Sequence, residues 1–176
     1  PGYGKGFKQY INLGLCSNYN KYLDIVKYAL MDEFTVYARA EKIVEYTLKT
    51  VRNINKDKIF LWVHFMDVHH PYLPPSEFSE GVLTNPFKRL KIRLLFRGYG
   101  TAGDPVCSHD HKNIIKKLYG LSVRYVDHFI GTLVEELSDD WVVLITSDHG
   151  DELWDHGETS HRRKLYDELI KIPLII

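Results

Sequence analysis

The sequence predicts an α/β fold: a mainly parallel sheet with helices on both faces, incomplete within these 176 residues. Three observations predict it. Two short, nearly unbroken apolar runs rich in β-branched and aromatic residues, 59–65 and 141–146, have the composition of strands covered on both sides. Segments with apolar residues every three to four positions precede and separate them, the alternation that layers helices on a parallel sheet. The last residues, Ile172-Pro173-Leu174-Ile175-Ile176, open a third apolar run. With no strand ahead of the first helix and an ending inside that run, strand edges would stay uncovered, and the expectation is a fragment of a larger domain, able to self-associate through those edges.

Composition narrows the class. The 23 Lys plus Arg balance 23 Asp plus Glu, so there is no general electrostatic case for nucleic acid or an anionic membrane. A chain that is 44% hydrophobic and 13% aromatic, with seven Pro and twelve Gly, can bury a core as a single domain or a large piece of one. No apolar run approaches the roughly 18 residues of a membrane span, and the N-terminus lacks the order of a signal peptide. Cys16 and Cys107 are too few for a disulfide framework and show no Cys-x-x-Cys zinc spacing.

Taken in order, residues 32–53 place Phe34, Ala38, Ile43, Val44, Thr47, Leu48 and Val51 on one stripe, which predicts a helix. After a polar turn, 59–65 is the predicted central parallel strand. It must stop before His70-Pro71, because proline lacks the donor a ladder needs and restricts the residue before it. Residues 76–110 mix basic residues with Gly and Pro and read as a surface excursion with a short helix at 87–96. Residues 110–137 carry the longest stripe, from Ile114 to Leu137, with Asp110 available as its cap. Residues 138–140 close that helix, and 141–146 is the second buried strand.

Ligands collect beyond the carboxyl ends of strands in such sheets, and a polar cluster follows each strand. After the second comes Thr146-Ser147-Asp148-His149-Gly150-Asp151-Glu152, then His156 and His161. Adjacent carboxylate and imidazole can both turn toward one cation, with Gly150 relieving the bend. The same residues also suit a solvated turn. After the first strand comes Asp67-Val68-His69-His70-Pro71-Tyr72, where a histidine can contact an anionic oxygen or protonate a leaving group. It can equally pack on the neighbouring Pro and Tyr.

Together the motifs resemble a known family. Phe60 through Pro75 around Asp67-Val68-His69-His70-Pro71-Tyr72, then Tyr125-Val126-Asp127 with Ile130-Gly131, the Asp148-His149-Gly150 segment, His156-Gly157, and Leu165-Tyr166-Asp167-Glu168 with Ile172-Pro173-Leu174-Ile175 resemble the sulfatase family of the alkaline-phosphatase superfamily. The resemblance spans nearly the whole chain and is weakest over 76–110. It implies an alkaline-phosphatase-like fold and a metal-dependent hydrolase of sulfate esters, small-molecule or glycan. Asp148 and His149 would ligate a divalent cation, calcium first, with magnesium, manganese or zinc open. His69 would contact the substrate anion, with His70 in reserve. His161, Arg162 and Lys164 compete for a basic substrate contact, with His161 or Arg162 favoured by spacing. Tyr166 and Glu168 would hold loop and strand together.

Neither thiol lies in the Cys-x-Pro-x-Arg or Ser-x-Pro-x-Arg motif that supplies the nucleophile of this family. These 176 residues are therefore expected to be inactive alone. Phosphodiester or phosphonate ester hydrolysis and phosphoethanolamine transfer are the neighbouring alternatives, acting on phosphate esters through the same metal site. A non-catalytic binding module on the same fold is the alternative from another class.

Overall fold

The computed structural model describes residues 4–13, 37–83, 85–96, 108–161 and 164–176. Helix α1 is Ala40–Arg52, shorter than the predicted 32–53. Arg39 is extended and starts it, Asn53 closes it by donating to the Thr50 and Val51 carbonyls, and 32–36 lie outside the described residues. After a single 3-10 turn at Ser76–Phe78 comes α2, Pro86–Phe96, whose first turn is capped by Asn85 Oδ1 accepting from the Lys88 amide at 2.9 Å. The long helix α3 runs His109–Glu136. Its cap is Ser108 rather than Asp110: the Ser108 hydroxyl accepts from the His111 amide, and Asp110 sits in the first turn, where its charge suits the helix dipole.

One face of α3 organises the core. Near its start Ile115 and Leu118 pack with Tyr72, Leu73, Leu83 and Ile92, so both the loop after 59–65 and helix α2 contribute to the interior. Further along, Tyr125 and Val126 meet Ala40 of α1, with Phe65, Val68 and Phe78 closing around them. Among the described residues no helix is long and apolar enough to cross a membrane.

The sheet departs from the expected parallel arrangement. Its described strands form two antiparallel pairs: β1 (Ile145–Thr146) with β4 (Leu174–Ile175), and β2 (Glu152–Leu153) with β3 (Thr159–Ser160). Residues 59–65 and 141–144 belong to no strand, so the predicted central strand is absent as a ladder and the second survives only in its last two residues. The physical reason lies in their burial. Phe60 (75% exposed), Trp62 (64%), Val142 (77%) and Leu144 (61%) alternate with half-buried neighbours, so one side of each segment is partly covered while the other stays bare. Expected cover on both faces is not met, and a fully apolar run without a backbone partner satisfies the sequence pattern but not the ladder.

What does form positions two loops. After 59–65 the chain turns at Met66, whose carbonyl accepts from the His69 amide at 3.1 Å, and passes a cis His70–Pro71 peptide. Two buried arginines then secure the next residues: Arg39 Nη1 donates to the Leu73 carbonyl at 3.3 Å and Arg89 Nη2 to the Ser76 hydroxyl at 3.2 Å. After β1, the Gly150 amide donates to the Leu169 carbonyl at 2.9 Å, next to helix α4 (Asp167–Ile170). A Cβ at position 150 would sit 2.0 Å from the Glu168 carbonyl oxygen, so glycine is required by close approach of two backbones rather than by the bend alone.

Two outcomes follow from this packing. Gly150→Ala must push the two backbones apart; it is expected to cost about 1–3 kcal/mol, read as a lower urea midpoint with an unchanged slope. Unchanged stability would mean the approach is looser than it looks. Burial pushes the Asp67 carboxyl up to about 6, against the opposing charge of Arg39, and its Oδ2 has no hydrogen-bond partner among the described residues. The folded chain thus holds this proton more tightly than the unfolded one. Stability should fall as pH rises from about 4 to about 6, by on the order of 3 kcal/mol, and stay reduced above that. Asp67→Asn should remove that slope and raise the neutral-pH melting temperature; a variant with the parent's pH profile would acquit Asp67.

Candidate active site

The two loops meet in a cluster of imidazoles. The His149 and His161 ring centroids lie 4.1 Å apart, His69 is 5.8 Å and His70 6.2 Å from His161, and His69 stacks on His70 at 4.1 Å. Tyr72 and Asp151, 79 positions apart in the chain, are thus brought together, and histidines predicted from separate motifs become neighbours.

Local hydrogen bonds assign each ring. His69 Nδ1 lies 2.7 Å from the His70 carbonyl and His149 Nδ1 lies 2.8 Å from the Gly150 carbonyl. A carbonyl only accepts, so in both rings Nδ1 carries a hydrogen and Nε2 is the nitrogen left for other partners. His161 Nδ1 lies 2.9 Å from Asp151 Oδ1, with the Ser160 hydroxyl a weaker neighbour at 3.4 Å. Tyr72 donates its phenolic hydrogen to the other oxygen, Asp151 Oδ2, at 2.8 Å. Burial, and then the Asp151 charge, push the Tyr72 hydroxyl far above its ordinary range, so it remains a donor. His70 is different: burial holds it below the usual imidazole value, and its Nδ1 finds no hydrogen-bond partner among the described residues.

Asp148 is largely exposed. Its Oδ1 accepts from the His149 amide at 3.0 Å and its Oδ2 lies 3.7 Å from His149 Nε2, so carboxylate and imidazole face the same side. A second grouping overlaps this pair: His149, Asp151 and His161 each offer a donor atom, all within 4.8 Å of one another. Imidazole nitrogen and carboxylate oxygen together are a donor set that fits a divalent cation.

Of the three basic residues competing near β3, His161 joins the cluster. Lys164 is engaged elsewhere, its ammonium held by Glu152 Oε2 at 2.9 Å and Glu158 Oε2 at 2.7 Å. Burial alone would raise the Glu152 carboxyl, but Lys164 and the amides of Glu158 and His156 overcome it and hold it below its ordinary value. That buried carboxylate is the brace of the β2–β3 hairpin. Arg162, Cys16 and Cys107 lie outside the described residues. His156 pairs with Glu168 at 2.9 Å and stacks on Tyr166 at 3.7 Å, tying the hairpin to α4.

Sequence reasoning passed over Tyr72 and Asp151. Both stand inside quoted motifs, but no local pattern signals a bond between residues so far apart. A signal was present in the type of residue: a second acid three positions after Asp148 cannot be assumed to serve the same cation.

A family model described as Sulfatase matches residues 2–176. Comparisons with curated proteins and with solved structures return no match. A match over nearly the whole chain carries with it the α/β, alkaline-phosphatase-like fold, which the antiparallel pairs described above show only in part, and the divalent metal that the family generally binds. On this match, and with the two motif loops closing on one histidine cluster, the chain belongs to the sulfatase family and is a sulfatase-like hydrolase domain.

Proposed function

We propose that the complete protein hydrolyses sulfate esters, small-molecule or glycan, at the histidine cluster. The observation that supports this reading best is the approach of His69, from the first loop, to His149 and His161, from the second. A bound cation would be held by Asp148 and His149 and would polarise the ester oxygens. Calcium is the first expectation for that cation, a hard ion suited to carboxylate oxygen, while the single imidazole of His149 leaves magnesium, manganese or zinc open.

Each remaining residue has work of its own. His69, with Nδ1 donating to the His70 carbonyl, is held in one orientation; as an imidazolium it binds the substrate anion through Nε2–H and can pass that proton to the leaving oxygen. His161, its ring centroid 5.8 Å from that of His69, supplies the basic contact, with Arg162 as its neighbour in sequence. Half-burial of the His69 ring limits water on its side of the anion, which strengthens that contact. The nucleophile is not among these groups, since no Cys-x-Pro-x-Arg or Ser-x-Pro-x-Arg motif occurs in the 176 residues.

Assay of the complete protein on a chromogenic aryl sulfate beside an aryl phosphodiester tests the reading. Preference for the sulfate supports it; preference for the diester moves the chemistry to phosphoryl transfer; silence on both with no metal bound leaves a binding module. Asp148→Ala is expected to abolish activity and bound metal together. His69→Ala should lower turnover roughly 100-fold with the metal retained; metal loss there would place His69 among the ligands instead.

A further inference from the structure

We propose that Asp151 is a positioning residue for His161, and that Tyr72 in turn fixes Asp151, so that the two motif loops together aim a single imidazole at the substrate anion. This rests on the reading above, in which His161 is the basic contact.

Three histidines of the cluster, His69, His149 and His161, differ in the acceptor that each Nδ1 faces. His69 and His149 each donate from Nδ1 to a neutral backbone carbonyl of the adjacent residue. His161 alone donates to a carboxylate, ten residues away in the chain, and the side chain of that carboxylate is only 7% exposed. A bond to a charged acceptor is shorter and roughly twice as strong as a neutral one, so His161 is held more firmly than its neighbours. A carboxylate cannot donate, so His161 Nδ1 must carry the hydrogen and Nε2 is the atom left for the site.

Asp151 could not do this if it were free to rotate. Its second oxygen accepts from the hydroxyl of Tyr72, a fully buried side chain packed edge-on to Tyr119 and enclosed by the core around α3. Both oxygens are therefore committed to protein partners. This also separates Asp151 from Asp148: the exposed Asp148 carboxylate is available to a cation, whereas ligation by Asp151 would compete with bonds it already makes. A carboxylate orienting an imidazole whose far nitrogen does the chemistry is a recurrent device, and loss of such a partner usually costs 10- to 100-fold.

The test uses the complete, metal-loaded protein. Asp151→Asn, which keeps the shape, is expected to lower kcat/KM for the aryl sulfate about 10- to 100-fold with metal content unchanged. In a His161→Ala background the same change should cost nothing further, because Asp151 acts through that ring; a full additive loss would overturn the proposal, as would loss of metal in Asp151→Asn, which would make Asp151 a direct ligand. Tyr72→Phe removes a single hydroxyl and covers the case in which Asp151→Asn does not fold; it should lower kcat/KM severalfold, and an unchanged value would remove Tyr72 from the argument. Nitrogen-15 NMR of the His161 ring gives a readout independent of turnover: the parent should show the Nδ1–H form, and Tyr72→Phe or Asp151→Asn a mixture. If the parent hydrolyses neither ester, the functional reading fails, while the ring spectrum still decides whether Asp151 orients His161; an Nε2–H form in the parent would refute it.

Discussion

The site depends on one buried hydrogen bond, from the hydroxyl of Tyr72 to the carboxylate of Asp151. Tyr72 belongs to the loop that follows residues 59–65, Asp151 to the loop that follows β1, and the long helix α3 lies between them in the chain. Burying a phenol and a carboxylate separately would be costly, and together they satisfy each other while Asp151 retains an oxygen for His161. The bond thus joins the halves of the cluster and sets the direction of one of its rings.

Around this bond the fold supplies stiffness rather than more chemistry. Arg39 and Arg89 hold the carbonyl and hydroxyl groups just beyond the first loop, so the segment carrying His69, His70 and Tyr72 is pinned at its far end. Glu152, fully buried, gathers two amides and the Lys164 ammonium and gives the hairpin after Asp151 a fixed shape. Gly150 permits the backbone of the second loop to lie against α4 at a distance no side chain allows. Each of these groups is polar or small, and each does its work by being buried with a partner.

Much of this was legible in the sequence. The stripe on α3 marked the core, the spaced motifs led to the family, and three histidines singled out from those motifs, His69, His149 and His161, lie together. Less was legible where the pattern depends on distant partners. A run such as Ile59-Phe60-Leu61-Trp62-Val63 states that both its faces are apolar but not what covers them, and here Phe60 and Trp62 stand exposed with no ladder among the described residues. The parallel order was inferred from alternation, yet β1 pairs with β4 in the antiparallel sense, because strand direction is a property of the pairing and not of either strand. Spacing favoured His161 or Arg162 over Lys164 near β3, but nothing local in the sequence told that Lys164 is in the grip of two glutamates.

The central claim is that Tyr72 and Asp151 act as one unit in holding the loops together. A double-mutant cycle on unfolding free energy, with Tyr72→Phe, Asp151→Ala and the pair, measures this directly. A hydrogen bond to a buried carboxylate should give a coupling of about 1.5–3 kcal/mol. Effects that simply add, with a coupling below roughly 0.5 kcal/mol, would contradict the account, because the two loops would then be held by something other than the bond between these residues.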